Sequence, residues 1–456
     1  MSLEKIEIIG FRGFSTKQTV HFSIPNEKLG SGLTIITGAN NSGKSSIIEC
    51  LKARSGYRTP SFTVGARNSS VDLVDILYSI NGKEERITSL KKGSSETKRD
   101  EIDKNFQVFV LPSRRSFNPF FSKNSNTREQ YLYNTELPAQ SSAMMDNFQS
   151  RLFNILENQD GFNQILHEVL PSKPDWSIDQ SDQGQYFLKF YNGENSHTSD
   201  GMGEGIVSIF AIVDSLYDSK AGDIIVIDEP ELSLHPALQK KVFNLLNRYS
   251  KDRQIIISTH SPYFVDIHSI INGSQLVRVI NNGKGTEIRQ LSEEGRAVIK
   301  RLAEGNIYNP HTFGLDAREL FFQEEGIVVV EGQEDVLLFP DIANQLDLSI
   351  SASFFGWGAG GASNIGHICF LLEDLGFKKV AAILDGDKAE EVPKLKDRFP
   401  NFHFVHICAD DIRTKEERKA APAVNGLLDR KRVIKNEHKD NTTQLINELN
   451  HYMSEK

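Results

Sequence analysis

Residues 38–45 have the types and spacing needed to bind the phosphates of a nucleotide. They read GANNSGKS, after the apolar run Leu33–Thr37 and before residues 46–51, a run typical of the start of a helix. Glycines let the backbone N–H groups turn toward a phosphate, and the helix N-terminus adds positive potential. Lys44 would reach the β- and γ-phosphates, and Ser45 would bind Mg²⁺. The strand, loop and helix context favours a phosphate-binding loop over a chance glycine-rich turn. The predicted nucleotide ligands are Gly38, Asn40, Asn41, Ser42, Gly43, Lys44 and Ser45.

A second set of polar residues follows two aliphatic runs typical of core strands. Asp228 and Glu229 come directly after Ile224–Ile227, and His260 follows the run that begins at Gln254. Ligands bind at the carboxyl ends of parallel strands, so these side chains are predicted to meet the phosphate-binding loop. Asp228 would organise Mg²⁺ as a metal and nucleotide ligand. Glu229 would orient or deprotonate the attacking water, and His260 would contact the γ-phosphate.

A third anion-binding element is predicted at residues 199–205, which read SDGMGEG before the helical run Ile206–Leu216. A Ser-x-Gly-x-Gly cluster at a helix N-terminus can bind an anion. The candidate ligands are Ser199, Gly201 and Gly203. A plain helix cap is the alternative.

Two arginines, Arg114 and Arg115, follow the predicted core strand Gln107–Leu111. Guanidinium groups at the end of a core strand could contact a nucleotide, DNA or a partner domain. A solvated turn explains them equally well, because loops after core strands commonly lie at the surface.

Four carboxylates in the last third of the chain form a second candidate site. Each lies at or just after the end of a predicted strand: Glu331, Asp335, Asp385 and Asp387. The first two follow Gly326–Val330, and the other two follow Lys379–Leu384. An all-oxygen pocket suits Mg²⁺ or Mn²⁺ rather than zinc. Two such ions about 4 Å apart would support phosphodiester cleavage. A structural carboxylate cluster is the alternative.

Composition limits the class of protein. The 456-residue chain has a formal charge of −9, which excludes a globally basic nucleic-acid binder but not local basic patches. Its three cysteines are far apart, which argues against a zinc ribbon or a disulfide scaffold. The N-terminus lacks an apolar signal core, and no segment approaches the ~20 apolar residues that span a bilayer. We therefore expect a cytoplasmic protein with no membrane partner.

The first motifs resemble the ABC-type ATPase head of recombination and chromosome-maintenance proteins. The resemblance rests on residues 38–45, 199–205, 224–236 and 254–262. It implies an α/β fold, with an ABC-type P-loop ATPase domain over 1–320 and a helical or dimerisation insert at about 116–172. It also implies that ATP is clamped between two heads, so a dimer or higher homo-oligomer is expected. An arginine near the first strand faces the nucleotide in that family. Arg12 is the candidate, with an ordinary surface charge as the alternative.

The carboxylate motifs, at 326–335 and 379–387, resemble the Toprim domain, the metal-binding, Rossmann-like fold of topoisomerases, primases and some nucleases. This domain is expected over 321–456, with a short helical C-terminal tail. The ~70 residues after the motifs leave no room for a topoisomerase DNA gate, and no cysteine cluster supports a primase. An ABC-type head followed by Toprim resembles the OLD (overcoming lysogenization defect) family of ATP-dependent nucleases. Members occur in bacterial anti-phage systems, including Gabija-type and retron-associated ones.

In that family, further acidic residues and a lysine complete the two-metal site. Asp410 or Asp411 could supply the acid here, with Glu416 and Glu417 as the next choices. The basic run Asp429–Lys435 could supply the lysine and bind a DNA backbone. It could equally be a solvated helix face.

The resemblance implies an ATP-hydrolysing DNA endonuclease of an anti-phage system that uses ATP and Mg²⁺, with Mn²⁺ possible at the Toprim site. The implied partners are DNA, further copies of the chain, and a defence-system protein or a complex of reverse transcriptase and noncoding RNA. Two alternatives stay open. One is an ATPase sensor or scaffold whose Toprim-like domain binds a partner, a toxin or nucleic acid without cutting. The other is a recombination-repair ATPase, which metal binding at Asp385 and Asp387 would argue against.

Overall fold

The computed structural model divides the chain into two compact units, Met1–Gln290 and Leu291–Lys456. This division falls ahead of the predicted boundary at residue 320, and the assignment of domains to families stays a prediction. The structure describes residues 2–55, 61–62, 66–92, 94–100, 107–115, 122–133, 148–170, 172–198, 203–305, 309–319, 326–417 and 422–455.

The described part of the first unit contains strands of three sheets and seven α-helices. Its strands are β1 (Leu3–Ile9), β2 (Gln18–His21), β3 (Leu33–Thr37), β4 (Asp75–Ile80), β5 (Lys83–Ser89), β6 (Thr97–Asp100), β7 (Val108–Leu111), β8 (Asp175–Gln180), β9 (Tyr186–Asn192), β10 (Asn195–Thr198), β11 (Ile224–Asp228), β12 (Gln254–Ser258), β13 (Gln275–Asn281) and β14 (Thr286–Gln290). Its helices are α1 (Lys44–Arg54), α2 (Arg128–Tyr133), α3 (Gln149–Ile155), α4 (Gln159–Val169), α5 (Glu204–Tyr217), α6 (Pro236–Tyr249) and α7 (Ile267–Asn272).

The largest sheet of this unit brings the nucleotide-binding motifs to one edge. Its order is β14-β13-β3-β12-β11-β7, and all neighbours are parallel except the β13–β14 pair. Every residue of β3, β11 and β12 is buried. Strands covered on both faces require such continuous aliphatic runs. In the register, Ser258 pairs with Asp228 on one side and with Ile36 on the other. The three strands therefore end at the same level.

Two antiparallel sheets, β2-β1-β4-β5-β6 and β10-β9-β8, complete the strands of this unit. In the first of these sheets, β1 and β2 pair antiparallel, with Lys5 opposite His21. Strand β2 ends at His21. The chain leaves the sheet because the Ser23 N–H donates to Thr34 Oγ1 at 2.9 Å. Helices α2 to α4 lie in the described part of the predicted insert.

The second unit is a parallel α/β structure. Its strands are β15 (Ile327–Val330), β16 (Ser353–Phe354), β17 (Val380–Leu384) and β18 (His403–His406). Its helices are α8 (Glu293–Gly305), α9 (Pro310–Phe313), α10 (Leu315–Glu319), α11 (Gln333–Gln345), α12 (Ala362–Asp374), α13 (Glu391–Arg398) and α14 (Lys439–Ser454). The sheet order is β16-β15-β17-β18, with every pair parallel. The α/β class is thus confirmed, whereas the Toprim assignment stays a prediction. Among the described residues, no helix is both long enough and apolar enough to cross a membrane.

Candidate functional sites

The segment between β3 and α1 has the backbone geometry of an anion-binding loop. Gly38, Asn41 and Gly43 adopt positive φ angles of 142°, 60° and 115°. Lys44 is buried, and its Nζ donates to the carbonyl oxygens of Gly38 and Ala39, both at 3.0 Å. Burial lowers the pKa of Lys44. The ammonium group is therefore held against the loop that would receive a phosphate.

The hydroxyl of Ser42 supports this assignment. It is buried and has no hydrogen-bond partner within the described part of the chain. A buried polar group without a partner costs about 1–3 kcal/mol, so a ligand oxygen is the natural partner. Thr286 Oγ1 donates to the Ser42 carbonyl at 3.0 Å and fixes the loop. Asn40 is exposed, and Ser45 is half-buried in the first turn of α1. This donor set fits a nucleoside triphosphate with Mg²⁺.

The end of β11 presents two carboxylates beside this loop, as predicted. Asp228 is buried and accepts a hydrogen bond from Ser258 Oγ, and burial raises the pKa of Asp228. Glu229 adopts a positive φ of 49°. Its Oε1 lies 3.7 Å from His260 Nε2. Burial, followed by the charge of Lys44, lowers the pKa of His260, which keeps the imidazole neutral at pH 7.

Glu231 is a residue of this site that the sequence analysis did not single out. Its carboxylate accepts hydrogen bonds from Thr259 Oγ1 at 2.8 Å and from the His260 N–H at 2.6 Å. It therefore fixes the backbone that carries His260. Burial raises the pKa of Glu231. Its place in the acidic run after β11 was the available signal, but the direction of its side chain does not follow from strand periodicity.

The two arginines after β7 differ in their surroundings. Arg114 is exposed, whereas Arg115 is buried, so a solvated turn is wrong for Arg115. The Arg115 guanidinium donates to the carbonyl oxygens of Asp228 and Glu229 at 2.8 and 2.9 Å. It contacts the backbone of the predicted metal ligand Asp228 and of the predicted catalytic residue Glu229.

Two further contacts with the nucleotide were predicted, one from residues 199–205 and one from Arg12. Ser199 and Gly201 lie outside the described residues, and Gly203 precedes the first residue of α5 as its cap. The predicted third anion site therefore stays a prediction. Arg12 Nη2 lies 2.8 Å from Glu49 Oε2 on α1, with its side chain 42% exposed. Its contact with a nucleotide is likewise still a prediction.

In the second unit, three of the four predicted carboxylates converge. One oxygen from each of Glu331, Asp385 and Asp387 lies within 4.8 Å of the others. The Asp385 N–H also donates to Glu331 Oε1 at 3.0 Å. Burial, followed by the neighbouring Asp335 and Glu331 carboxylates, raises the pKa of Asp385 to about 8. Carboxylates that repel one another in this way suit a divalent cation with oxygen ligands, so Mg²⁺ or Mn²⁺ fits this donor set.

Asp335 is set apart from these three by its hydrogen bond. Its Oδ2 accepts the Gly332 N–H at 2.8 Å and caps the N-terminus of α11. Burial raises its pKa to about 6, with smaller contributions from Glu331 and Asp411. The structure thus gives Asp335 a capping contact near the cluster, and its ligation of metal stays a prediction.

The segment after β18 brings one of the two proposed acids toward the cluster. Asp411 is half-buried, and its charge contributes to the raised pKa values of Glu331 and Asp385. Asp410 is exposed. The backbone here is tied to the Asp-x-Asp loop, because the Gly386 N–H donates to the Ala409 carbonyl at 2.9 Å.

Lys415, which the sequence analysis did not consider, lies beside Asp411. Its Nζ donates to the Asp411 carboxylate, and the charge of Asp385 also acts on it. The predicted source of the lysine, residues 429–435, is not helical. It forms a turn in which Asp429 Oδ1 accepts the N–H groups of Lys431 and Val433. The helix-face interpretation is therefore wrong, because side-chain capping by Asp429 competes with helix formation.

The described residues also assign Glu416 a different contact. Its carboxylate lies 2.9 Å from Arg430 Nη2, and both side chains are largely exposed at 69% and 75%. Glu417 is exposed as well. Asp411 therefore has better support than either glutamate as a further acid of the cluster.

Comparison with known sequences identifies the family of the first unit. The family described as "AAA domain, putative AbiEii toxin, Type IV TA system" matches residues 33–266, just over half of the chain. The chain belongs to this AAA-domain family. The match runs from β3 through the segment after His260, so it includes the phosphate-binding loop and both carboxylates at the end of β11.

Two curated relatives of this AAA-domain protein carry the name OLD nuclease. The protein from Thermus scotoductus is 28% identical over 247 residues, which are 51% of this chain and 40% of the relative. The protein from Escherichia phage P2 is 30% identical over 117 residues, 25% of this chain and 19% of the relative. These similarities confirm the predicted resemblance to the ATPase of the OLD family. The chain spans less than half the length of either relative.

Solved structures with a similar arrangement include SMC head domains. One is from Thermotoga maritima, with a TM-score of 0.37 at 15% identity, covering 64% of this chain and all of that one. Another is from Pyrococcus furiosus, with a TM-score of 0.42 at 13% identity, covering 66% of this chain and 98% of that one. These likenesses are too loose to add to the fold described above.

Proposed function

We propose that this chain is an ATP-hydrolysing, metal-dependent DNA endonuclease that acts in the cytoplasm in a bacterial anti-phage defence system. Pairing of ATPase heads would control cleavage by a Toprim site in the second unit. One observation carries the proposal. Oxygens of Glu331, Asp385 and Asp387 converge within 4.8 Å, in a chain that also has a phosphate-binding loop with a buried lysine. The OLD nuclease names of two relatives support the nuclease half of the proposal, and the match to an AAA-domain family supports the ATPase half.

In the first unit, the side chains divide the work of ATP hydrolysis. Lys44 would exchange its contacts with loop carbonyls for phosphate oxygens, and Ser45 and Asp228 would hold Mg²⁺. Glu229 would accept a proton from the attacking water. The neutral His260 imidazole, 3.7 Å from Glu229 Oε1, would orient that carboxylate or contact the γ-phosphate. Gly203 would belong to the element that clamps the nucleotide of a second copy.

In the second unit, the chain supplies the carboxylates and one candidate proton donor. Divalent cations bound there would activate water and stabilise the departing oxygen of a phosphodiester. Glu331, Asp385 and Asp387 would hold the cations, and Asp411 would extend the acidic surface. Lys415, bonded to Asp411, would contact the DNA backbone or the departing oxygen.

Plasmid nicking tests this function directly. Purified protein with Mg²⁺ or Mn²⁺ should convert supercoiled plasmid to open circles, and Glu331→Gln should abolish the conversion. Glu334→Gln is the matched control, because Glu334 lies three residues away, pairs with Arg413 at 2.7 Å and is outside the converging group. No nicking by the wild type with either metal would refute the nuclease.

A non-cutting scaffold is the second candidate, and one observation favours it. Lys388 Nζ lies 2.6 Å from Asp387, so a cation of the chain itself already neutralises part of the cluster. A scaffold would bind a partner protein, toxin or nucleic acid under control of ATP at Lys44. Stable capture of a specific protein or RNA by a Glu229→Gln variant, with no Mn²⁺ binding by calorimetry, would favour the scaffold over the nuclease.

A further inference from the structure

The guanidinium of Arg115 lies at a junction between three elements of the first unit. It donates to Ser208 Oγ at 2.7 Å, to the carbonyl of Asp228 at 2.8 Å and to the carbonyl of Glu229 at 2.9 Å. A fourth bond, at 2.9 Å, goes to the carbonyl of Pro112 in its own loop. The residue is 5% exposed. Burial lowers the pKa of Arg115 to about 10, so it stays charged at neutral pH.

The backbone that Arg115 holds is in a conformation that needs support. Glu229 adopts a φ of 49°, which residues other than glycine seldom adopt. Such conformations cost on the order of 1 kcal/mol or more and persist where the surroundings fix them. The Glu229 N–H donates to the Ser258 carbonyl at 2.9 Å, and the Glu229 carbonyl accepts from Arg115. Both backbone polar groups of Glu229 are therefore held by hydrogen bonds, which fixes the main chain from which its carboxylate extends.

The bond to Ser208 extends the junction to α5. Ser208 is buried and lies near the start of this helix, which follows the predicted third anion site. A displacement of the start of α5 would pull on Arg115 and, through it, on the carbonyls of Asp228 and Glu229. A lysine could not replace this link, because one ammonium group cannot make the planar, forked set of bonds that a guanidinium makes.

We infer that Arg115 is a positioning residue for ATP hydrolysis, which sets the orientation of Glu229 according to the position of α5. The inference rests on the proposed ATPase function. It assigns Arg115 no contact with ATP. The residue therefore affects the rate of the chemical step and not the binding of the nucleotide, and the Ser208 bond makes that rate sensitive to the position of the start of α5.

Steady-state ATP hydrolysis by Arg115→Lys tests the positioning role. We expect kcat to fall by about 10- to 100-fold, while KM and the affinity for a fluorescent, non-hydrolysable ATP analogue stay within about threefold. Arg114→Lys is the matched control, because Arg114 is the exposed neighbour, and it should match the wild type in all three measurements. A purely structural role would lower binding and thermal stability together with kcat. Unchanged kcat in a folded Arg115→Lys protein would overturn the inference.

Two milder variants keep the test decisive if Arg115→Lys does not fold. Ser208→Ala removes one of the four bonds and should lower kcat by about threefold without changing the affinity for the analogue. Ser208→Thr keeps the hydroxyl and should restore kcat. Equal kcat for Ser208→Ala and the wild type would contradict the link to α5. A wild type that binds the analogue but never hydrolyses ATP would instead refute the proposed ATPase, and the inference would fall with it.

Discussion

The two units hold their acidic clusters in opposite electrostatic settings. In the first, two of the three carboxylates accept hydrogen bonds from the chain itself: Asp228 from Ser258, and Glu231 from Thr259 and the His260 N–H. In the second, Glu331, Asp385 and Asp387 face one another within 4.8 Å, and the pKa of Asp385 rises to about 8.

This difference indicates how each cluster depends on its ligand. The first is largely organised before a nucleotide binds, because hydrogen bonds of the fold already hold Asp228 and Glu231. The second cluster consists of carboxylates that repel one another. Its lysine partners contact only the outer carboxylates: Lys388 pairs with Asp387, and Lys415 pairs with Asp411. We therefore expect mutations in the first cluster to change ATP chemistry, and through it the control of cleavage, without changing metal binding at the second cluster. Mutations in the second should change metal binding and, with it, the stability of the unit.

The largest expected effect comes from Asp385→Asn. It removes the most perturbed carboxylate of the second cluster, so plasmid nicking should fall by about a thousandfold or more. Affinity for an ATP analogue should match the wild type, since the phosphate-binding loop belongs to the other unit. Gel-based nicking and fluorescence titration measure the two quantities on one preparation. Loss of ATP binding in this variant would show that the nucleotide site and the second cluster do not act independently.

The converse variant, Lys44→Ala, should weaken ATP binding by about a hundredfold, because the buried ammonium is removed from the loop. The fluorescence titration reports this loss. Mn²⁺ binding at the second cluster, measured by calorimetry, should not change. A Lys44→Ala protein with wild-type ATP affinity would show that the loop is not the nucleotide site.

Substitution of Asp411 should lower the rate of plasmid nicking, by less than Asp385→Asn does, whereas substitution of Asp410 should not. Asp411→Asn is expected to lower nicking by about tenfold, because the Asp411 charge reaches Glu331 and Asp385 and its carboxylate binds Lys415. Asp410→Asn is the control and should cut at the wild-type rate, since Asp410 is exposed. If Asp410→Asn lowered nicking and Asp411→Asn did not, Asp410 would be the further acid of the site and Lys415, which binds Asp411, would have no role there.

The smallest effect concerns stability without metal. The pKa of Asp385 is about 8 in the folded protein against an ordinary value of 3.8, so between these values the native state keeps a proton that the unfolded chain releases. This group therefore makes metal-free protein less stable as pH rises from about 4 to about 8. Thermal unfolding of Asp385→Asn should show a midpoint about 2–4 °C above that of the wild type at pH 8, and little difference at pH 5.

Added Mn²⁺ serves as the control for this comparison. It should raise the midpoint of the wild type more than that of Asp385→Asn, because a ligand that binds the native state stabilises it by mass action. An equal midpoint for the two proteins at pH 8 in chelator would contradict the repulsion between these carboxylates.

The sequence predicted those parts of the sites that follow from strand periodicity. The aliphatic runs before Asp228, Glu331 and Asp385 are buried parallel strands, and carboxylates at their ends meet because parallel strands share one carboxyl edge. The spacing of the phosphate-binding loop likewise predicted a strand, loop and helix.

The contacts that strand periodicity could not predict are made by residues in irregular segments. Arg115, Glu231 and Lys415 lie outside the helices and strands, so the alternation of side chains along a strand does not predict where they point. Their partners can be far away in the sequence. Arg115, for example, binds the carbonyls of Asp228 and Glu229, which are 113 and 114 positions away. Only folding brings such groups together. Residues 429–435 differ in that their contacts are local: the Asp429 side chain accepts the N–H groups of Lys431 and Val433 and organises a turn, which the pattern of charges did not distinguish from a helix face.

The contact between Gly386 and Ala409 has a consequence for recognising related chains. A Cβ atom at residue 386 would lie 2.4 Å from the Ala409 carbonyl oxygen, so any larger residue there would collide with backbone. Wherever a chain keeps this packing, the middle position of its Asp-x-Asp pattern must be glycine. Glycine makes up about 7% of residues on average, so a search for Asp-Gly-Asp after a buried strand would discard about nine in ten of the chance matches that Asp-x-Asp admits.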